Sequence, residues 1–149
     1  MIVEAQVPIK GSRTALWAAI TDIANAPAAI KGNQKIEIVA KPAHGLVGLK
    51  WKETRLLFGK PATVEKWITK AVDNEFYETR AEDGGFVFLT TMRISDAGGG
   101  LTLTGSHASE PQGFGASLMS IPMRLFFKGI VRKAALQDLE DIKAAVERA

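Results

Sequence analysis

The chain has 149 residues, of which 46% are hydrophobic and 23% charged, a balance typical of a folded domain and unlike that of disordered or fibrous proteins. It contains no cysteine, which excludes disulfides and thiolate metal sites. The formal net charge of +3 arises from cations spread along the chain, so the basic stripe typical of nucleic-acid binding is missing and no nucleic-acid partner is expected.

Neither the first residues nor the most apolar stretch has a targeting pattern. The opening segment, MIVEAQVPIK, contains Glu4 and no long apolar run, unlike a signal peptide. Residues 118–131 are interrupted by Pro122, Arg124 and Lys128 and fall short of the ~20 residues that a membrane span needs. We therefore expect a cytoplasmic protein without a membrane span.

The chain begins with a predicted strand and two predicted helices. Alternating apolar residues predict a strand over Ile2–Ile9. Ser12 has the position of a helix N-cap, and an amphipathic helix follows it. The residues on the apolar face of that helix are Leu16, Ala19, Ile20 and Ile23. A short second helix is expected over residues 25–30, with Pro27 in its first turn and Gly32 or Asn33 closing it.

Six strand-like segments follow, and short turns join them. The turns contain glycine, asparagine or aspartate, as at Gly84-Gly85 and Gly98-Gly99-Gly100. The segments are residues 35–40, 47–58, 62–71, 75–81, 85–95 and 101–110. Consecutive strands joined by short turns predict a mostly antiparallel sheet.

Residues 113–148 are expected to form one long helix, because apolar side chains recur there at helical spacing. That stripe is Leu118, Ile121, Leu125, Leu136, Leu139, Ile142 and Val146. The resulting order of strand, two helices, six strands and long helix predicts one α+β domain over residues 1–149. In it, a bent sheet buries one face against the last helix.

Several segments resemble the START-like superfamily, which includes polyketide cyclases and dehydrases, aromatases and plant pathogenesis-related lipid-binding proteins. They are SRTALWAAITDIANAP, VGLKWKETR, GGGLTLTGSHASEPQGF and AALQDLEDIKAAVER. The resemblance implies a helix-grip fold with a ligand-binding cavity between the sheet and the last helix. Since relatives include carriers, receptors and cyclases, the fold does not by itself select an activity.

One face of the predicted third strand carries both apolar and charged residues. Trp51, Glu53 and Arg55 share this face, whereas the opposite face carries lysines that must reach water. Charges that point into a cleft are candidates for a ligand site, so Glu53 and Arg55 either pair with each other or orient a polar group of a ligand. A β-bulge near Thr54 would instead turn one or both of them outward.

His107 is predicted to point inward from the last strand, where the strand meets the helix, because it shares a face with Leu103. A histidine there could hydrogen-bond a ligand or act as a general base, or it could have a purely structural role. The other histidine, His44, lies in a predicted turn. This spacing is not that of a metal site, and no metal or cofactor is expected.

Further candidates for the cavity wall are mostly large apolar side chains, for which ordinary core packing is the alternative. On the sixth and seventh strands they are Phe86, Phe88, Thr90, Met92 and Leu103. On the last helix they are Leu118, Ile121, Pro122 and Phe126.

The beginning of the last helix, residues 114–130, is apolar on nearly all faces, and Pro122 and Gly129 weaken it. This segment is expected to act as a gate, to form a homodimer or membrane-surface patch, or to be covered by neighbouring loops.

The leading functional prediction is a binding protein for a hydrophobic or aromatic small molecule, lipid or polyketide-like, which Glu53, Arg55 and His107 orient. The first alternative is a cyclase, aromatase or dehydratase in which His107 or Glu53 transfers protons. The second alternative is a protein-interaction module. The sequence contains no nucleophile elbow, P-loop or dinucleotide fingerprint, and no catalytic residue is assigned.

Overall fold

The computed structural model describes residues 1–57, 59–112 and 121–148, and within them one sheet and three helices form the fold. The strands are β1 (Ile2–Ile9), β2 (Asn33–Ala40), β3 (Lys50–Leu57), β4 (Lys60–Val72), β5 (Phe76–Asp83), β6 (Phe86–Ala97) and β7 (Gly100–Pro111). The helices are α1 (Arg13–Thr21), α2 (Ala26–Ala29) and α3 (Ile121–Arg148). The strand order is β1-β7-β6-β5-β4-β3-β2, and every neighbouring pair is antiparallel. The predicted α+β helix-grip architecture is therefore confirmed.

The segment between β1 and β2 forms as its local signals predict. Ser12 caps α1, because its Oγ accepts a hydrogen bond from the Ala15 amide at 3.0 Å. Leu16 and Ile20 are buried on one face of the helix. A 3-10 turn over Ile23–Asn25 leads into α2, which has Pro27 in its first turn.

The third strand is shorter than predicted. It begins at Lys50 instead of residue 47, because Gly48 has a φ of +96°, a left-handed conformation incompatible with a regular strand. Val47 is consequently outside the sheet and 51% exposed. Residue 58, the predicted end of the strand, lies outside the described residues.

The predicted apolar stripe of α3 is correct only in its last turns. Leu139 and Ile142 are buried against the core, whereas Leu125 is 65% and Leu136 41% exposed. A straight α-helix drifts about 20° per heptad, so a seven-residue repeat extended over several heptads leaves the buried face. The core lies between the inner sheet face, α1 and this part of α3, and its fully buried members include Val7, Leu16, Ile68, Leu103 and Leu139.

Candidate functional site

A cavity of about 590 Å³ lies between the inner face of the sheet, the α1–α2 segment and α3. Its volume is within the range of about 300–1,000 Å³ that is typical of small-molecule sites. The helices contribute an apolar wall, which includes Ile20, Ile23, Ile30, Ile130, Ala134 and Ile142. The described side chains do not fill the cavity, which is the condition that a ligand-binding function requires.

The sheet side of the cavity is polar, and β3 supplies its centre. Trp51 and Glu53 are 2% and 6% exposed, and both line the cavity together with the half-buried Arg55. The β3–β4 register is regular through Thr54, and the nearby irregularity is on β2 between Asn33 and Lys35. The bulge that would have turned Glu53 or Arg55 outward does not occur on β3, so the predicted inward orientation is confirmed. Their part in ligand binding stays a prediction.

Four charged side chains from three elements meet at this wall, and we call them the four-charge cluster: Glu53, Arg55, Lys66 and Asp138. Glu53 Oε2 accepts hydrogen bonds from Arg55 Nε and from Lys66 Nζ, each at 2.8 Å. Arg55 Nη2 donates to Asp138 Oδ2 at 2.6 Å. Buried charges are tolerated when they are paired and hydrogen-bonded, and every member of the cluster meets that condition.

Burial and ion pairing act in opposite directions on the pKa values of Glu53, Arg55 and Asp138. Burial alone raises the pKa of Glu53, but the charges of Lys66 and Arg55 outweigh this effect and lower the pKa to about 2. Burial lowers the pKa of Arg55, yet Asp138 and Glu53 raise it above its ordinary value. Burial raises the pKa of Asp138 in spite of the opposing charge of Arg55. The site thus combines two acidic and two basic side chains, joined by ion pairs.

Sequence reasoning missed Lys66 and Asp138. Lys66 lies two residues before the fully buried Ile68 and directly opposite Trp51 in the β3–β4 register, so it shares their inner face. Asp138 precedes the buried Leu139 within the acidic run QDLED, which is typical of a solvated helix face. The one available signal was the position of Lys66 in phase with Ile68. Nothing local distinguishes Asp138.

His107 also lines the cavity, which confirms its predicted inward orientation. It lies opposite Thr90 in the β6–β7 register, and Thr90 Oγ1 is 3.4 Å from His107 Nδ1. Burial, together with the charges of Lys66 and Arg55, lowers the pKa of His107 to about 4. The imidazole is therefore neutral at pH 7 and has one donor and one acceptor nitrogen.

Two further polar residues of the wall were not predicted as part of a site. Asn33 was expected to close the second helix, but it begins β2 opposite Arg55, lines the cavity and is only 4% exposed. Its Oδ1 has no hydrogen-bond partner among the described residues. Tyr77 donates from its hydroxyl to the Ile20 carbonyl at 3.0 Å, and burial raises its pKa.

The chain matches no protein-family model, and no curated protein matches it in sequence. Solved structures do resemble it along its length. A START superfamily protein from Mycobacterium smegmatis has a TM-score of 0.81 at 13% identity and covers 99% of this chain and 97% of that one. The chain has the START-like helix-grip fold.

Two other helix-grip structures extend the comparison. The Zhui aromatase/cyclase from a Streptomyces species has a TM-score of 0.77 at 14% identity, covering 99% of this chain and 94% of that one. A major latex-like protein from Panax ginseng has a TM-score of 0.73 at 15% identity, covering 97% of this chain and 96% of that one. At these identities the likeness concerns the helix-grip fold alone.

Thr90 and Met92 line the helix-grip cavity, as their shared face on β6 predicts. Phe86 and Phe88, on the same face, lie beyond it: their rings stack at 6.0 Å and Phe88 is 38% exposed. Leu103 is fully buried in the core and is not a wall residue. The prediction that these three line the cavity is corrected, because β6 runs past the cavity and β7 contributes to the packed core beside it.

Four residues of the last helix were also predicted to line the cavity. Phe126 is 60% exposed, so its predicted place on the cavity wall is wrong: it lies one turn before Ile130, at which the described part of α3 begins to line the cavity. Leu118 and the side chains of Ile121 and Pro122 lie outside the described residues, so their predicted roles are not tested. The described helix is continuous from Ile121 to Arg148.

Within residues 1–57, 59–112 and 121–148, no group of His, Asp or Glu side chains converges to hold a metal ion. Among the same residues, no helix combines the length and the apolar character that crossing a bilayer demands.

Proposed function

We propose that the protein binds an apolar or aromatic small molecule in the helix-grip cavity. The observation that carries this proposal is the open volume of about 590 Å³ between an apolar helix wall and a polar sheet wall. Burial of apolar ligand surface contributes about 25 cal/mol per Å², which supplies most of the affinity. The resemblance to an aromatase/cyclase and to a START superfamily protein supports lipid or polyketide-like ligands as the class to test first.

The polar wall orients the ligand in this proposal. The four-charge cluster and His107 occupy one side of the cavity, so an amphipathic ligand places its polar end against the sheet and its apolar end against the helices. Side chains held by ion pairs of 2.6–2.8 Å are preorganised, and this reduces the ordering that binding requires.

An aromatase- or cyclase-type enzyme is the second candidate, because Glu53 and His107 line the same cavity. His107 is neutral at pH 7 and can accept a proton there. Glu53 has a pKa of about 2, so it is negatively charged near neutral pH and cannot serve as a general acid there. Binding without turnover therefore ranks first.

The protein-interaction alternative depends on the apolar segment 114–130. Within its described part, Leu125 and Phe126 are exposed on α3, a feature that fits the predicted homodimer contact. This alternative ranks third, because an exposed apolar pair also occurs on monomeric proteins.

Native mass spectrometry of the purified protein, followed by denaturing extraction, tests the proposal. We expect an apolar small molecule at near one-to-one stoichiometry. Ala135→Phe should weaken its retention, since Ala135 lines the cavity, is 4% exposed, and a phenyl ring there would occupy part of the cavity volume. Ala144→Phe is the matched control, on the same helix at an exposed position. A ligand retained equally by both variants would place the binding site elsewhere. An empty protein that no lipid or aromatic compound stabilises would contradict the proposal.

A further inference from the structure

The four charges of the cluster balance one another within the buried part of the cavity wall, whereas Asp22, which also lines the cavity, is exposed to solvent. Glu53 and Asp138 carry negative charge, Arg55 and Lys66 carry positive charge, and each lies within 2.8 Å of an opposite partner. His107 is neutral at pH 7, as is Tyr77, the other titratable side chain outside the cluster on the buried part of the wall. A ligand with a formal charge would therefore add an unbalanced charge to a largely buried site, which is unfavourable.

Asn33 adds a hydrogen-bond acceptor that lacks a donor. The residue is 96% buried, since only 4% of its surface is exposed, and its Oδ1 has no partner among the described residues. Buried acceptors are normally satisfied, and an unmade bond to one is costly. Asn33 is part of the cavity wall and its terminal amide torsion is soft, so rotation about that torsion can present Oδ1 to a bound molecule.

The Asn33 side chain is not needed to hold its own loop. The Asn33 amide donates to the Ile30 carbonyl at 3.1 Å, which closes the turn through the backbone. Asp141 on α3 accepts from the Lys31 amide at 3.0 Å and ties the same loop to the helix. The side-chain amide of Asn33 is thus left for the cavity.

We propose that the cavity selects uncharged apolar or aromatic ligands that carry a hydroxyl group, and that Asn33 Oδ1 accepts the hydroxyl hydrogen. This inference rests on the proposed binding function and specifies its ligand class. A neutral hydroxyl leaves the charge balance of the wall unchanged and satisfies the orphan acceptor. A carboxylate would do neither, because it brings a charge and has no hydrogen to donate.

Three naphthalene probes separate these effects by titration calorimetry at pH 7: 2-naphthol, 2-methoxynaphthalene and 2-naphthoate. We expect 2-naphthol to bind about tenfold more tightly than the methyl ether, the gain of one buried hydrogen bond, and 2-naphthoate to bind most weakly. Equal affinities for the three probes would overturn the inference and leave the proposed function intact. Binding of none of them would overturn the inference, and the extraction experiment above would then decide the proposed function separately.

Two variants locate the selectivity in named residues. Asn33→Leu should reduce the preference for 2-naphthol over its methyl ether to less than about twofold, without lowering the melting temperature of the empty protein, because it removes an unsatisfied acceptor. Gln34→Leu, an exposed amide one residue along β2, should keep the preference. An unchanged preference in Asn33→Leu would overturn the role of Asn33.

Asp138→Asn removes one negative charge from the cluster and should raise the affinity for 2-naphthoate about tenfold. The matched control is Glu65→Gln on β4, where the Glu65 side chain is 41% exposed and pairs with Lys50. An Asp138→Asn protein that still rejects the carboxylate would contradict the charge-balance argument. The comparison of probes on the unaltered protein remains decisive if either variant fails to fold.

Discussion

Strands β3 and β4 carry acid–base pairs on both faces, and the two pairs differ in environment far more than in geometry. On the outer face Lys50 Nζ lies 3.2 Å from Glu65 Oε1, with side chains 39% and 41% exposed. On the inner face Lys66 Nζ lies 2.8 Å from Glu53 Oε2, and the Glu53 side chain is 7% exposed. Water solvates the outer pair whether or not it forms, whereas Glu53 is nearly excluded from water and depends on its two cations.

The distance between two charged groups therefore does not measure how much their ion pair contributes to the stability of the fold. The outer pair is reinforced by Lys50 lying 5.3 Å from the centre of the Trp67 ring, yet each partner can return to water at little cost. Loss of one inner partner leaves a buried charge without compensation.

The largest effect is expected from truncating the inner acid. Glu53→Ala leaves Arg55 and Lys66 facing each other in the cavity wall, and should lower the free energy of unfolding by about 3–5 kcal/mol. Glu65→Ala on the outer face should lower it by less than about 1 kcal/mol. Urea denaturation of the two variants measures both values. Similar losses for the two would show that burial is not the deciding factor.

The next effect is a loss of stability in mild acid, caused by His107. Its pKa is about 4 in the folded protein against an ordinary value of 6.5, so the unfolded chain binds more protons between these values. The stability that neutral His107 contributes is present above pH 6.5 and is lost as the pH falls toward 4, by about 2–3 kcal/mol. His107→Gln should flatten this part of the stability profile, whereas His44→Gln, at an exposed position, should not. A slope that persists in His107→Gln would assign the titration to another group.

A second acid step should follow at lower pH. Glu53 has a folded pKa of about 2, below its ordinary value of 4.5, so its contribution is present above pH 4.5 and is lost as the pH falls toward 2. Chemical denaturation between pH 5 and 2.5 should show about 2–3 kcal/mol of further loss. Glu53→Gln, measured against its own stability at pH 5, should lose about 2–3 kcal/mol less over this range, since only the titration of Glu53 is removed. Parallel profiles for the two proteins would contradict the assignment.

The smallest effect is expected for the outer pair itself. A double-mutant cycle of Lys50→Ala and Glu65→Ala should give a coupling of about 0–1 kcal/mol at low salt that disappears in 1 M NaCl, since salt screens exposed charges. The same cycle on Lys66 and Glu53 should give a larger coupling that salt changes little. A salt-insensitive outer coupling would indicate that the Lys50–Trp67 contact matters more than the charge pair.

Local periodicity predicted the parts of the fold that depend on nearest neighbours. The span of β1, the cap at Ser12 and the inward face of Trp51, Glu53 and Arg55 follow from alternation and spacing along a few residues. The same method failed for Leu125 and Phe126, because an apolar residue on a long helix is buried only where a partner packs against it. The prediction that Phe86 and Phe88 line the cavity was also wrong. Alternation along β6 sets the face on which they lie, but it does not set how far the cavity extends along the strand.

By itself, then, the sequence determined which elements form and which face each strand turns to the interior, since these depend on backbone geometry repeated every two or 3.6 residues. Only the tertiary structure decided the composition of the site. Glu53 meets Lys66 across 13 residues of chain, and Arg55 meets Asp138 across 83. The pairing of β3 with β4 brings Lys66 to Glu53, whereas Asp138 reaches Arg55 only when α3 packs across the sheet, a contact that no local pattern predicts.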